Sequence, residues 1–222
     1  MNTRFFSYGA KVIIPGILAT LKMLSISFIL SLVLGILLGS VLVFVHPEKG
    51  LNPNKIVYKI LDIIMGFIRS FPVIILIVAM TPITKAIVGT SIGSNAAIIP
   101  ITFATIPLVA KSIENVLMEV DYNIILACRS FGASNYRILF HALFPESMPS
   151  IVSSMTLIAI ICLSTTAVAG AIGAGGLGSV ALNFGYQRFD DVVMYAIVII
   201  LAIIVTLIQV IGNLVYRKIS KY

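Results

Sequence analysis

Four groupings in this 222-residue chain have residue types and spacing suited to chemistry. Gly173-Ala174-Gly175-Gly176-Leu177-Gly178 spells G-x-G-x-x-G. Between a strand and a helix, that pattern would cradle a pyrophosphate on backbone N–H groups. Ser164-Thr165-Thr166 sets three hydroxyls in succession. They can line a polar path or bond back to carbonyls of their own helix. The two cysteines, Cys128 and Cys162, and the two histidines, His46 and His141, are scattered and show neither metal-ligand spacing nor a disulfide framework. The fourth grouping is residues 127–149, ACRSFGASNYRILFHALFPESMP, with Arg129, Arg137, His141 and Glu146 set around one glycine and two prolines. It has no nucleophile–base set, and the chain has no G-x-x-x-x-G-K-[ST] to hold a nucleotide, so no catalytic residue is expected. The chemistry left to residues 127–149 is that of a surface hairpin or of a docking knob.

The elements that must position these groups are set by solvent. The chain is 59% hydrophobic and 10% charged, with a mean hydropathy of +1.13. A soluble domain carries roughly a quarter charged residues, so most of this sequence belongs in lipid. Its apolar runs lack strict alternation and are long enough for helices, which assigns an all-α integral membrane fold. The runs predict five spans at about 23–45, 63–84, 96–117, 149–172 and 192–216 within one domain over 1–222. An interfacial lead-in helix over 12–21, broken at Pro15-Gly16, is expected before the first span. The second span carries Pro72 and Pro82, which neighbours must compensate. The third carries Lys111 and Glu114 near its exit.

This frame disposes of several readings. An apolar membrane helix precedes the G-x-G-x-x-G, so the glycines are expected to serve close backbone approach or a mobile loop. Gly35-Ile-Leu-Leu-Gly39 matches GxxxG and suits tight helix packing, a dimer contact included. The +7 formal charge is spread between spans as a topology signal, so no nucleic-acid partner is expected. No ionisable residue lies deep in the first, fourth or fifth span, which disfavours a proton- or voltage-driven carrier. The first apolar run is too long for a cleaved signal and should stay as a span.

With the C-terminus in the cytoplasm, Lys49, Lys55, Lys59, Arg69, Lys111, Arg129, Arg137, Arg217, Lys218 and Lys221 lie inside. Arg4, Lys11, Lys22, Lys85 and Arg188 lie outside, a bias that favours this orientation and puts residues 121–149 in the cytoplasm. That segment reads as two amphipathic pieces, 121–131 and 134–144, with Gly132 at the turn. In the second piece Tyr136, Leu139, Phe140 and Leu143 share an i, i+3, i+4, i+7 face, and Pro145 and Pro149 are expected to end it and launch the fourth span. The residues alone leave the hairpin and the knob open.

Residues 126–145 resemble the cytoplasmic EAA loop of ABC-importer permeases, whose pattern is E-A-A, three residues, Gly, nine residues, I-x-L-P. Ala127, Gly132 and Pro145 match in place; Leu126 stands for the glutamate, Cys128 for the second alanine, and Ala142 and Phe144 for the aliphatic pair. Residues 165–191, TTAVAGAIGAGGLGSVALNFGYQRFDD, look like the region after the fourth span in the methionine-importer branch, and the five-span layout agrees. The resemblance implies a homodimer on two ATPase subunits, fed by an extracellular methionine-binding lipoprotein. ATP and Mg would be bound by the ATPase subunits and no cofactor by this chain. It further implies that Ala127, Cys128, Arg129, Gly132, Ala133 and Pro145 couple the permease to the ATPase, and the position of Ser164, Thr165 and Thr166 makes them candidates for the substrate path. The alternatives are a permease for another small amino acid or nutrient, and a membrane scaffold whose central hairpin docks a partner.

Overall fold

Long uninterrupted apolar runs give long helices, and the computed structural model describes residues 9–220 in those terms, with no strand among them. Arg4 and Lys221, both used in the charge count, lie outside the described residues. Helix α1 (Ile14–Val45) follows a π-helical turn at Gly9–Ile13. No break separates a lead-in helix from the first span. Pro15 is the second residue of α1 and does not interrupt the helix, which runs on from the π-helical turn.

The second span departs most from expectation. Helix α2 (Lys55–Ser70) begins eight residues earlier than the predicted span and stops before Pro72; α3 (Val73–Ala79) and α4 (Thr81–Val88) follow. The bend between α2 and α3 is 103°, because Pro72 takes an extended backbone and disfavours helix at the residue before it. Helix α5 (Ser94–Met118) matches the third expected span. Helices α6 (Tyr122–Ser130) and α7 (Asn135–Ile138) follow, then a π-turn at Leu139–Leu143 and α8 (Phe144–Ala169). A π-turn at Gly170–Ala174, α9 (Gly176–Val180), a π-turn at Ala181–Tyr186 and α10 (Asp191–Ile219) complete the chain.

Among the described residues, four helical runs are long and apolar enough to cross a membrane: Lys11–Val45, Ser94–Met118, Asn135–Ala174 and Asp191–Ile219. The bent α2–α3 pair makes a fifth if it counts as one span. Neither Pro145 nor Pro149 ends the Asn135–Ala174 run, contrary to the sequence reading. The π-turn shifts the hydrogen-bond register just before Pro145, where an α-helix would have needed its N–H.

The chain divides into two compact units. One comprises the described residues up to Leu30 with Phe71–Thr105 and Ala159–Val210. Its apolar core gathers Leu163, Leu177, Val193 and Ile197, and a second cluster joins Met23, Ile77, Ile101 and Ala169. The other unit holds Ser31–Ser70, Ile106–Ile158 and the described residues from Ile211. Its core centres on Leu42, Met65 and Ala110. Here the GxxxG glycines act inside the chain: a Cβ on Gly35 would meet the Val109 side chain, and one on Gly39 would lie 2.6 Å from the Ala110 carbonyl oxygen. They seat α1 on α5 rather than serving a dimer contact. Rows of large apolar side chains on α10, from Val198 to Leu214, are exposed, as suits a helix whose solvent is lipid.

Candidate functional site

Five of the six residues assigned to partner coupling fall in one turn. Asp121 caps α6, its carboxylate accepting the Asn123 N–H at 2.9 Å. At the other end Gly132 adopts φ +74, Ala133 N–H donates to the Cys128 carbonyl (3.0 Å) and Gly132 N–H to the Arg129 carbonyl (2.9 Å). This pair is a Schellman closure, and its left-handed position suits glycine because a side chain there crowds the following carbonyl. Ala127, Cys128, Arg129, Gly132 and Ala133 are thus parts of a single helix end. Pro145 lies beyond the π-turn, in the first turn of α8.

The surface of that end is apolar. Phe131 is 91% exposed, and Tyr122 and Leu126 are also open. Leu126 occupies the position of the EAA-loop glutamate, so this knob offers an alkyl group where a carboxylate was looked for. Phe131 was missed by sequence reasoning, although its place directly before a left-handed glycine is the signal that turns it outward. The face expected on the second piece is only half right. Ile138, Leu139 and Leu143 are buried, whereas Tyr136 and Phe140 are exposed, because the π-turn rotates the helix face.

Arg129 is exposed but anchored at its tip. Its guanidinium donates to the Leu51 carbonyl at 3.2 Å, tying α6 to the buried Leu51 in the loop 46–54. Nearby stands a polar cluster that sequence reasoning did not assemble. The Lys111 ammonium lies 2.9 Å from an Asp62 carboxylate oxygen and 2.8 Å from a Glu114 one. The Tyr58 hydroxyl donates to the other Glu114 oxygen at 2.7 Å. Glu114 is 3% exposed, and a buried carboxylate is costly without partners such as these. The signal was present as lone charges inside apolar stretches, but their separation in sequence hid the pairing.

Ser164, Thr165 and Thr166 belong to the other unit. Each hydroxyl bonds back to its own helix, to the carbonyls of Ile160 (3.2 Å), Ile161 (3.0 Å) and Leu163 (2.6 Å). Thr165 and Thr166 are buried and Ser164 is exposed. In the same unit the glycine-rich run packs by backbone. Leu177 N–H donates to the Thr20 hydroxyl at 2.8 Å, and a Cβ on Gly178 would run into the Ala167 carbonyl.

Taken together, the described residues show long apolar helices and a capped apolar knob. Residues 31–221 match the family described as binding-protein-dependent transport system inner membrane component. The chain belongs to this family. The inner membrane component of such a system is a transport subunit, not an enzyme. Among its relatives, a Vibrio cholerae protein named probable D-methionine transport system permease protein MetI is 37% identical over 98% of this chain and 96% of its own length. The Bacillus subtilis methionine import system permease protein MetP is 40% identical over 81% of each chain. A chain of the MetNI methionine ABC transporter, solved in inward-facing conformations, superposes with a TM-score of 0.90 at 36% identity, covering 93% of this component and 95% of that chain. An amino acid ABC transporter chain solved with histidines matches at a TM-score of 0.71 and 19% identity, a likeness of fold alone.

Proposed function

We propose that this chain is the permease subunit of an ATP-driven methionine importer. It works as a homodimer that forms the translocation path and rests on two ATPase subunits. The likeness to the MetNI transporter over nearly the whole chain carries this reading. ATP and Mg belong to the ATPase subunits, and an extracellular methionine-binding lipoprotein delivers the substrate. Residues 1–222 act as one transmembrane domain of five spans, the α2–α3 pair counting as one, with the N-terminus outside and the C-terminus in the cytoplasm.

Residues 121–149 are the coupling segment. Helix α6 sits in a groove of the ATPase, with Tyr122, Leu126 and Phe131 as the apolar contact and Ala127, Cys128, Arg129, Gly132 and Ala133 holding its end in shape. When two bound ATPs draw the ATPase subunits together, α6 moves with them. Helices α7 and α8 run on without a stop, so Pro145 sits in a lever rather than at a hinge, and the displacement reaches the fourth span as a tilt. The substrate path is assigned to Ser164, Thr165 and Thr166, with Ser164 the exposed hydroxyl among them.

The test is co-purification and uptake. The tagged wild type should bring down an ATPase subunit and, in proteoliposomes, import methionine only with ATP and the binding protein. Import by this chain without any ATPase would overturn the reading. An ATPase that binds but moves a different solute would leave the permease and remove methionine.

A further inference from the structure

The cluster between α2 and α5 has no part in binding substrate or ATPase as described above, yet it is an expensive thing to place in a membrane protein. A buried charge there costs several kcal/mol unless paired. Here one ammonium bridges two carboxylates and a phenol closes the second oxygen of Glu114. Lys111 also sits 5.7 Å from the centre of the Tyr58 ring. The ammonium already fills the space between the carboxylates, so the cluster has no vacancy for a cation.

The apolar contact of helix α2 is small, with Met65 set in the core beside Leu42 and Ala110 and Tyr58 and Leu61 packed against it. Met65 is its only buried residue, while Ile56, Ile60, Ile63 and Phe67 are all more than half exposed. The cluster therefore sets where α2 lies on α5, and an ion pair is directional in a way that two apolar faces are not. A second line of contacts reaches the same place from α6. Arg129 holds the Leu51 carbonyl, and the loop around Leu51 is folded by Asn52 N–H to the Phe44 carbonyl (2.8 Å) and Gly50 N–H to the His46 carbonyl (3.0 Å). The His46 ring meets the Tyr58 ring edge-on at 5.0 Å, and Tyr58 holds Glu114. Helix α5 is joined to α6 through the short stretch 119–121, whereas these side chains link α2 to α6 through space.

We infer that Tyr58, Asp62, Lys111 and Glu114 are positioning residues: they clamp α2 to α5 so that displacement of α6 by the ATPase moves both helices as one body. Arg129 on the Leu51 carbonyl is the second tie of the same clamp. The inference rests on the coupling role proposed for α6. Without the clamp, α6 still docks and ATP is still hydrolysed, but the motion reaches α5 and leaves α2 behind.

The experiment reconstitutes the full complex with its ATPase and binding protein and measures ATP hydrolysed per methionine imported. Glu114→Gln should bind the ATPase as wild type does and keep its hydrolysis, while ATP per methionine rises about 10-fold, within the usual range of coupling between sites. Glu114→Asp should recover part of the coupling. Tyr58→Phe removes one hydroxyl at constant shape and serves if Glu114→Gln fails to fold; it should raise the ratio about 5-fold. Combining Tyr58→Phe with Arg129→Gln should be no worse than the stronger single change, as expected of two ties in one clamp. An unchanged ratio in Glu114→Gln and Tyr58→Phe overturns the clamp, as does a loss of import matched by an equal loss of hydrolysis. A wild type that binds no ATPase overturns the coupling reading itself, which is a different result.

Discussion

The end of α6 and the glycine-rich run after α8 are both compact turns, but they are built from opposite materials. The first closes on two backbone hydrogen bonds at a left-handed glycine and is steadied by side-chain chemistry, with a carboxylate cap at Asp121 on the far end of α6 and a guanidinium on the Leu51 carbonyl. The second is held by the absence of side chains, with backbone against backbone at Gly178 and one hydroxyl, Thr20, satisfying a buried N–H. A structure made of directional polar contacts can be detuned by one atom and still fold. A structure made of close approach cannot accept an atom at all. The contrast suits the coupling role proposed for α6, in which that region takes up force from a partner while the glycine-rich run stays packed.

Substitutions can break or sharpen that contrast. The largest effect is expected from Gly178→Ala, whose Cβ would overlap the Ala167 carbonyl; overpacking of this kind costs about 3 kcal/mol at its upper end. Size-exclusion yield and melting in detergent should show little folded protein, and a normal melt would refute the close-packing account. Next is Thr20→Val, which leaves the buried Leu177 N–H without its acceptor at a cost of about 1–3 kcal/mol. Its melting temperature should fall clearly, and Thr20→Ser should restore most of it.

At the polar end Gly132→Val should cost about 1–2 kcal/mol for a left-handed side chain. It should also lower ATPase co-purification more than its melting predicts, because the angle between α6 and α7 changes. The smallest change in stability, within about 0.5 kcal/mol, is expected for Phe131→Ala, whose ring touches little of its own chain. ATPase affinity should nonetheless drop about 10-fold if the ring is an anchor in the partner's groove. Titration of the solubilised dimer with ATPase measures this, and unaltered affinity would remove Phe131 from the docking surface.

How much of this was legible depends on range. Composition and uninterrupted apolar runs assign lipid as the solvent and helix as the fold, because in hydrocarbon every backbone group must be satisfied within the segment. The third and fifth spans fall within three residues of expectation at each end. The left-handed glycine at 132 and the spacing from Gly132 to Pro145 are local features, and they mark the segment proposed for coupling without any tertiary contact. Failures came where a local rule met a neighbour. Lys55, Lys59 and Asp62 kept the first eight residues of α2 out of the predicted span, although Asp62 pairs with Lys111, 49 residues away in sequence. Pro145 reads as a helix end in isolation, and the π-turn before it removes the conflict. Sequence therefore determines what each segment is in lipid: its length, its solvent and its caps. Which charges meet and which glycines lie against which carbonyls were decided only by tertiary packing, because those interactions join residues that periodicity cannot relate.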